Sequence, residues 1–158
     1  MLVHGAFADA SSWAPEVTRL HNLGYTVYAP ANPLRSPSGD AAYIKSFLQT
    51  IDGPVVLVGH CYGGAVITQA AAGLRNVKAL VYVAAFALDK GESAATALPA
   101  DKYPGSLLTP DKWVVRKYPD PSAPGGTRGR LKSLSAGKLP GSGVVAHFRG
   151  LGCAGCVP

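Results

Sequence analysis

Residues 59–64 read Gly-His-Cys-Tyr-Gly-Gly, at the end of the apolar run VVLVG and directly before an alanine-rich stretch. This is the pattern of a nucleophile elbow, G-x-nucleophile-x-G, with Cys61 where serine is usual. A sharp strand-to-helix turn holds the nucleophile in a strained backbone conformation. Small residues two positions to either side keep that turn free of clashes. The helix that follows aims unpaired N–H groups and its positive dipole end at the site. The same field favours thiolate over thiol at Cys61. The chemistry implied is attack on an electrophilic carbon through a covalent intermediate. The competing reading is a small buried hydrophobe, common for free cysteine. The flanking glycines favour the nucleophile position.

Such a turn needs a strand before it and a helix after it. Residues 1–4 form a short apolar run stopped by Gly5, and residues 25–31 (YTVYAPA) form a β-rich one. Residues 55–59 and 77–86 (VKALVYVAAF) are continuous apolar runs. Runs apolar on both faces suit parallel strands covered by helices. Helical patterns lie between them. Ser12 is placed to cap a helix with Pro15 and Glu16 in its first turn. Trp13, Val17, Leu20 and Leu23 then follow one stripe, and Gly24 closes it. Ile44, Phe47, Leu48 and Ile51 form a second stripe, with Ser38 or Asp40 as its cap, and residues 63–74 form a third helix. The order β-α-β-α-β-α-β predicts an α/β fold with a parallel sheet of about four strands. If the run 55–59 pairs with 1–4 on the side opposite 25–31, the strand order reverses there. Ligands bind at such a point, beyond the carboxyl ends of the strands.

At these residues the chain resembles a known family. HGAFADASSW at 4–13, ANPLRS at 31–36, GHCYGGAV at 59–66 and YVAAFALDKGES at 82–93 are similar to the small bacterial α/β-hydrolase-fold esterases. Those esterases are related to plant methyl-ester esterases and hydroxynitrile lyases. The resemblance covers roughly residues 1–110. It implies an α/β-hydrolase fold, cleavage of a small-molecule ester, and no cofactor. By the same resemblance Cys61 takes the nucleophile position, and the N–H groups of Ala6 and Tyr62 form the oxyanion hole. The segment after Phe86 begins the cap that shapes the substrate pocket.

The chain also departs from the family pattern, whose order is nucleophile, acid, histidine, the last two after later strands. His147 is the one histidine beyond Cys61, and Asp89, just after the run 77–86, is the acid candidate. No later apolar run is long enough to present either at the sheet edge. The sequence opens inside its first strand, so it reads as a truncated member with an incomplete triad and impaired turnover. The alternative is a catalytically inactive paralogue or a binding module. In either case the run 77–86 becomes an apolar sheet edge that invites self-association. His60 reads as packing beside the elbow, His4 as bracing the N-terminal loop, and His21 as solvated.

Composition sets the remaining bounds. At 158 residues and 47% hydrophobic, the chain suits one packed domain. Residues 1–120 hold ten basic and nine acidic residues, whereas residues 121–158 hold five basic residues and no acid. The +6 net charge therefore belongs to the tail, which implies no folded basic face and no nucleic-acid partner. The expected division is a hydrolase core with partial cap at 1–120 and a Gly/Pro/basic-rich tail at 121–158. That tail is expected to be disordered or the product of a shifted reading frame. The pair Cys153 and Cys156 lacks the further ligands of a zinc site, so no metal is expected. No apolar run reaches membrane-spanning length, so no membrane partner is expected. An odd cysteine count and the lack of a signal peptide predict a cytoplasmic protein without a disulfide framework.

Overall fold

β1 (Leu2–Val3), β2 (Val55–Cys61) and β3 (Val77–Ala85) form one parallel sheet in the order β1-β2-β3. Leu2 stands opposite Val58 and Val3 opposite Gly59. β2 and β3 run in register from Val56 with Ala79 to His60 with Val83. The Met1 ammonium extends the first pairing by donating to the Val56 carbonyl at 2.8 Å. The computed structural model describes residues 1–99, 101–106, 108, 113–119, 121, 125 and 127–134. They divide into two compact units, Met1–Glu92 and Ser93–Pro158. The expected break at residue 120 falls inside the second of these.

The first unit carries the helices α1 (Ala14–Asn22), α2 (Pro37–Leu48) and α3 (Tyr62–Ala71), with a 3-10 turn at Ala10–Trp13. Its core brings Ile44 and Leu48 of α2 against Leu57 of β2 and Val66 and Ile67 of α3. All five are sealed from solvent. Burial of this kind contributes about 1.5–3 kcal/mol per side chain. Gly63 and Gly64 let the start of α3 approach the sheet closely, and Ala70 is fully buried.

Several local expectations change. The run 25–31 forms no ladder. Leu2 points its N–H at the Tyr28 carbonyl (2.8 Å), while its neighbour Met1 accepts from Val58 on the other side. Adjacent residues of a strand direct their backbone groups to opposite sides. The run therefore lies across β1 from β2, as the reversed order requires. A two-residue β1 offers it too little to pair with.

The caps differ too. Asp9, not Ser12, caps the first helical turn, its carboxylate accepting from Ser11 N–H at 2.8 Å. Ser36, not Ser38 or Asp40, caps α2 by accepting from Gly39 N–H, because Pro37 already sits in the first helical position. Leu23 is 72% exposed, and no residue of α1 is buried, so only Trp13 of the proposed stripe reaches the interior. The second unit contains the one-turn α4 (Ala94–Ala97) and the antiparallel pair β4 (Trp113–Pro119) and β5 (Thr127–Leu134). Neither strand was expected from apolar runs, since basic residues interrupt both.

Candidate active site

Cys61 is the last residue of β2, and α3 starts at the next position. Its backbone sits at φ 52°, ψ −121°, a combination that a side chain with a Cβ rarely adopts. Neighbouring packing holds it there. A Cβ on Gly63 would strike the Val3 carbonyl oxygen, and one on Gly59 would lie 2.6 Å from the Gly63 oxygen. These contacts are with backbone, which cannot swing aside, so β1, β2 and the start of α3 fit together only with glycine. The far side of the elbow is anchored as well. Phe86 N–H donates to the Cys61 carbonyl at 3.0 Å. β3 reaches that position through an irregularity: His60 faces Val83 but Cys61 faces Ala85, which leaves Ala84 unpaired at φ 42°.

The N-terminal loop meets the elbow. A Cβ built on Gly5 would lie 2.9 Å from the Cβ of Cys61. The loop turns through Ala6 and Phe7, closed by Ala8 N–H donating to the Gly5 carbonyl at 3.3 Å. His4 braces it. This ring is buried, its Nδ1–H donates to the Gly5 carbonyl at 2.9 Å, and its Nε2 accepts from Asn32 N–H at 2.8 Å. With one nitrogen donating and the other accepting, the bonding fixes a single neutral tautomer. His60 packs edge-on to Trp13, with ring centroids 6.4 Å apart, and burial lowers its pKa. Both roles match the sequence reading. His21 is exposed on α1. Cys61 itself is 5% exposed. The chemistry considered for Cys61 is that of its reduced, thiol form.

A buried carboxylate stands behind the elbow. Asp40 is fully buried on α2, one and two turns before Ile44 and Leu48 on the same stripe. One of its oxygens accepts from Arg35 N–H at 2.9 Å, and the other accepts from the Tyr62 hydroxyl at 2.7 Å. Burial first, then this bond and the carboxylate charge, raise the Tyr62 pKa well above the usual phenol range. Tyr62 therefore stays a donor. The sequence offered a signal for Asp40: a carboxylate at i, i+4 and i+8 spacing with two core residues.

Of the remaining candidates, Asp89 alone lies among the described residues. Asp89 is exposed in a turn, where its N–H meets the Glu92 carboxylate at 2.8 Å and its carbonyl accepts from Glu92 N–H. His147, Cys153 and Cys156 lie outside the described residues. Among the described residues no cluster of three or more His, Cys, Asp or Glu could hold a metal ion. No helix among them is long and apolar enough to cross a membrane. A cavity of about 760 Å³, lined by Met1, Tyr25, Tyr28, Ile51, Pro54 and Val55, opens at the start of β2, the end opposite Cys61.

The profile of the alpha/beta hydrolase family matches residues 1–152. The chain belongs to that family. This α/β hydrolase is 30% identical over 112 residues to a carbendazim hydrolyzing esterase from Nocardioides, covering 63% of this chain and 46% of that enzyme. Among solved structures it is similar to an extracellular α/β-hydrolase from a Paenibacillus species, with 29% identity and a TM-score of 0.58, over 64% of this chain and 46% of the other. A pyrethroid hydrolase from Sphingobium faniae shares the fold at 21% identity and a TM-score of 0.62, over 90% of this chain and 62% of its own. The chain thus spans about half the length of the curated relative it matches.

Proposed function

We propose that this α/β hydrolase is a carboxylic-ester hydrolase that uses Cys61 as its nucleophile. The observation that carries the reading is the backbone of Cys61, held at φ 52° between β2 and α3 with the Gly5 loop against its Cβ. The esterase relative supports an ester as the substrate class. In the proposed reaction the reduced thiol loses its proton, and its sulfur forms a bond to the ester carbonyl carbon. The carbonyl electron pair moves onto oxygen, where the N–H groups of Ala6 and Tyr62 receive it. The electrons return, the bond to the alcohol oxygen breaks, and the alcohol leaves with a proton. Water then cleaves the thioester, giving the acid and restoring the thiol. A reducing compartment such as the cytoplasm keeps the thiol available.

The second half of that cycle is the weak one. His4 is engaged through both ring nitrogens, His60 faces Trp13, and His21 is exposed. The base and acid roles are left to His147 and Asp89, the latter in an exposed turn where its backbone N–H donates to the Glu92 carboxylate. Acylation without efficient hydrolysis is the expected behaviour: a burst of alcohol, then a stall. The test is p-nitrophenyl acetate under reducing conditions. A burst that disappears in Cys61→Ala supports the reading, and equal release by both proteins ends it.

A second reading, a non-catalytic member that associates with itself, is favoured by β3. Val81, Tyr82 and Val83 are 42%, 37% and 42% exposed, although parallel strands are normally covered on both faces. The β3 edge is the proposed contact. Size-exclusion chromatography across a concentration series tests it, and a monomer at every concentration contradicts it.

A further inference from the structure

We infer that Asp40 is a positioning residue for the oxyanion site: its carboxylate fixes Tyr62 so that the peptide between Cys61 and Tyr62 keeps its N–H on the reacting carbonyl. This rests on the esterase reading above and adds to it a residue that neither reacts nor touches substrate.

The peptide in question joins the strained Cys61 to the first residue of α3. A backbone at positive φ stays in place only when its surroundings over-determine it. The glycine contacts fix β2 and α3 against β1. They do not restrain the Tyr62 side chain, which leaves α3 towards α2. There the hydroxyl meets Asp40 at 2.7 Å, and the second carboxylate oxygen is held by Arg35 N–H at 2.9 Å. Asp40 is itself sealed from water and fixed on a capped helix, with Ser36 accepting from Gly39 N–H. The tether therefore runs from one rigid helix to the first residue of the next. Its ends are 22 residues apart in sequence.

A carboxylate is a costly way to fill a core position. An apolar residue there would extend the stripe formed by Ile44 and Leu48, whereas a buried charge must be fully hydrogen-bonded to be tolerated. Both oxygens are bonded, and one of the two bonds runs to the first residue after Cys61. Charge-assisted bonds of this length are among the stiffest available to a side chain. Stiffness matters at this point because a donor displaced by about 1 Å can cost about 100-fold in rate.

The experiment compares Tyr62→Phe and Asp40→Asn with the wild type and Cys61→Ala, all under reducing conditions. Two reactions of Cys61 are followed. Acylation by p-nitrophenyl acetate develops an oxyanion. Alkylation by iodoacetamide displaces iodide at a saturated carbon and develops none. Tyr62→Phe is the gentler variant, since it removes one oxygen atom and keeps the ring. The expected result is an acylation rate lower by about 10–100-fold in both variants. The half-saturating ester concentration, the alkylation rate and the far-UV circular dichroism should stay at wild-type values. Unchanged acylation in both variants overturns the positioning role and leaves the esterase reading standing, provided Cys61→Ala is inert. Acylation and alkylation falling together, or loss of the native spectrum in both variants, also overturns it, because the pair would then serve the fold alone. Cys61→Ala reacting as fast as the wild type removes the esterase reading, and the positioning role falls with it.

Discussion

β2 and β3 have nearly the same sequence texture and opposite surroundings. VVLVG and ALVYV are both continuous apolar runs in one parallel sheet. β2 lies between two strands and under two helices, and its residues Val55, Leu57, Gly59 and Cys61 are buried. β3 pairs with β2 alone among the described strands, and none of its residues is fully buried. An apolar run therefore specifies a strand, but its burial is decided by the neighbours that the rest of the chain supplies. The active elements follow the same division. Most of what shapes the elbow comes from β1, the Gly5 loop, β2 and the start of α3, while the end of β3 adds the Phe86 bond and a close approach to Gly64.

The contrast can be broken most severely at the glycine contacts. Gly63→Ala places a Cβ against the Val3 carbonyl and should cost about 3 kcal/mol or more, read from the urea midpoint. A loss under about 1 kcal/mol would mean that β1 moves away easily, and the elbow would then lack its rigid frame. Next in size is Leu57→Ala in β2, fully buried, with an expected loss of about 3 kcal/mol by the same measurement.

A smaller effect is set by pH. Burial lowers the His60 pKa below 6.5, so the unfolded chain binds the proton more readily than the native one. The stability tied to the neutral ring is complete above about pH 6.5 and is lost as pH falls through the native value. His60→Gln should therefore flatten the decline of the urea midpoint between about pH 7 and about pH 5. An equally steep decline in the variant would assign the acid sensitivity elsewhere. The smallest effect belongs to β3. Val81→Ala should change stability by less than about 0.5 kcal/mol. A loss near that of Leu57→Ala would show β3 to be as well covered as β2 and erase the contrast.

The legible parts of the site were those encoded by local spacing. The glycines of residues 59–64 and the loop of residues 4–7 locate the elbow because a sharp turn and a close approach exclude larger residues at fixed offsets. The order of β1, β2 and the run 25–31 was legible only as the condition for a ligand site where the strand order reverses. What stayed hidden depended on partners distant in the chain. The run 25–31 has β-forming residues, yet β1 offers it only Leu2. Asp40 looked like a cap because its partner, Tyr62, lies in another helix. Ser36 caps α2 from just before Pro37, because proline favours the first helical position.

The central claim concerns one sulfur atom, and the other two cysteines supply an internal control. The reduced protein is treated briefly with p-nitrophenyl acetate, quenched in acid and digested, and the acetyl group is located by mass spectrometry. Acetylation of Cys61 well ahead of Cys153 and Cys156 is the predicted result, because Cys61 sits at a helix start facing the N-terminal loop. Acetyl spread evenly over the three thiols, or absent from Cys61, would contradict the account.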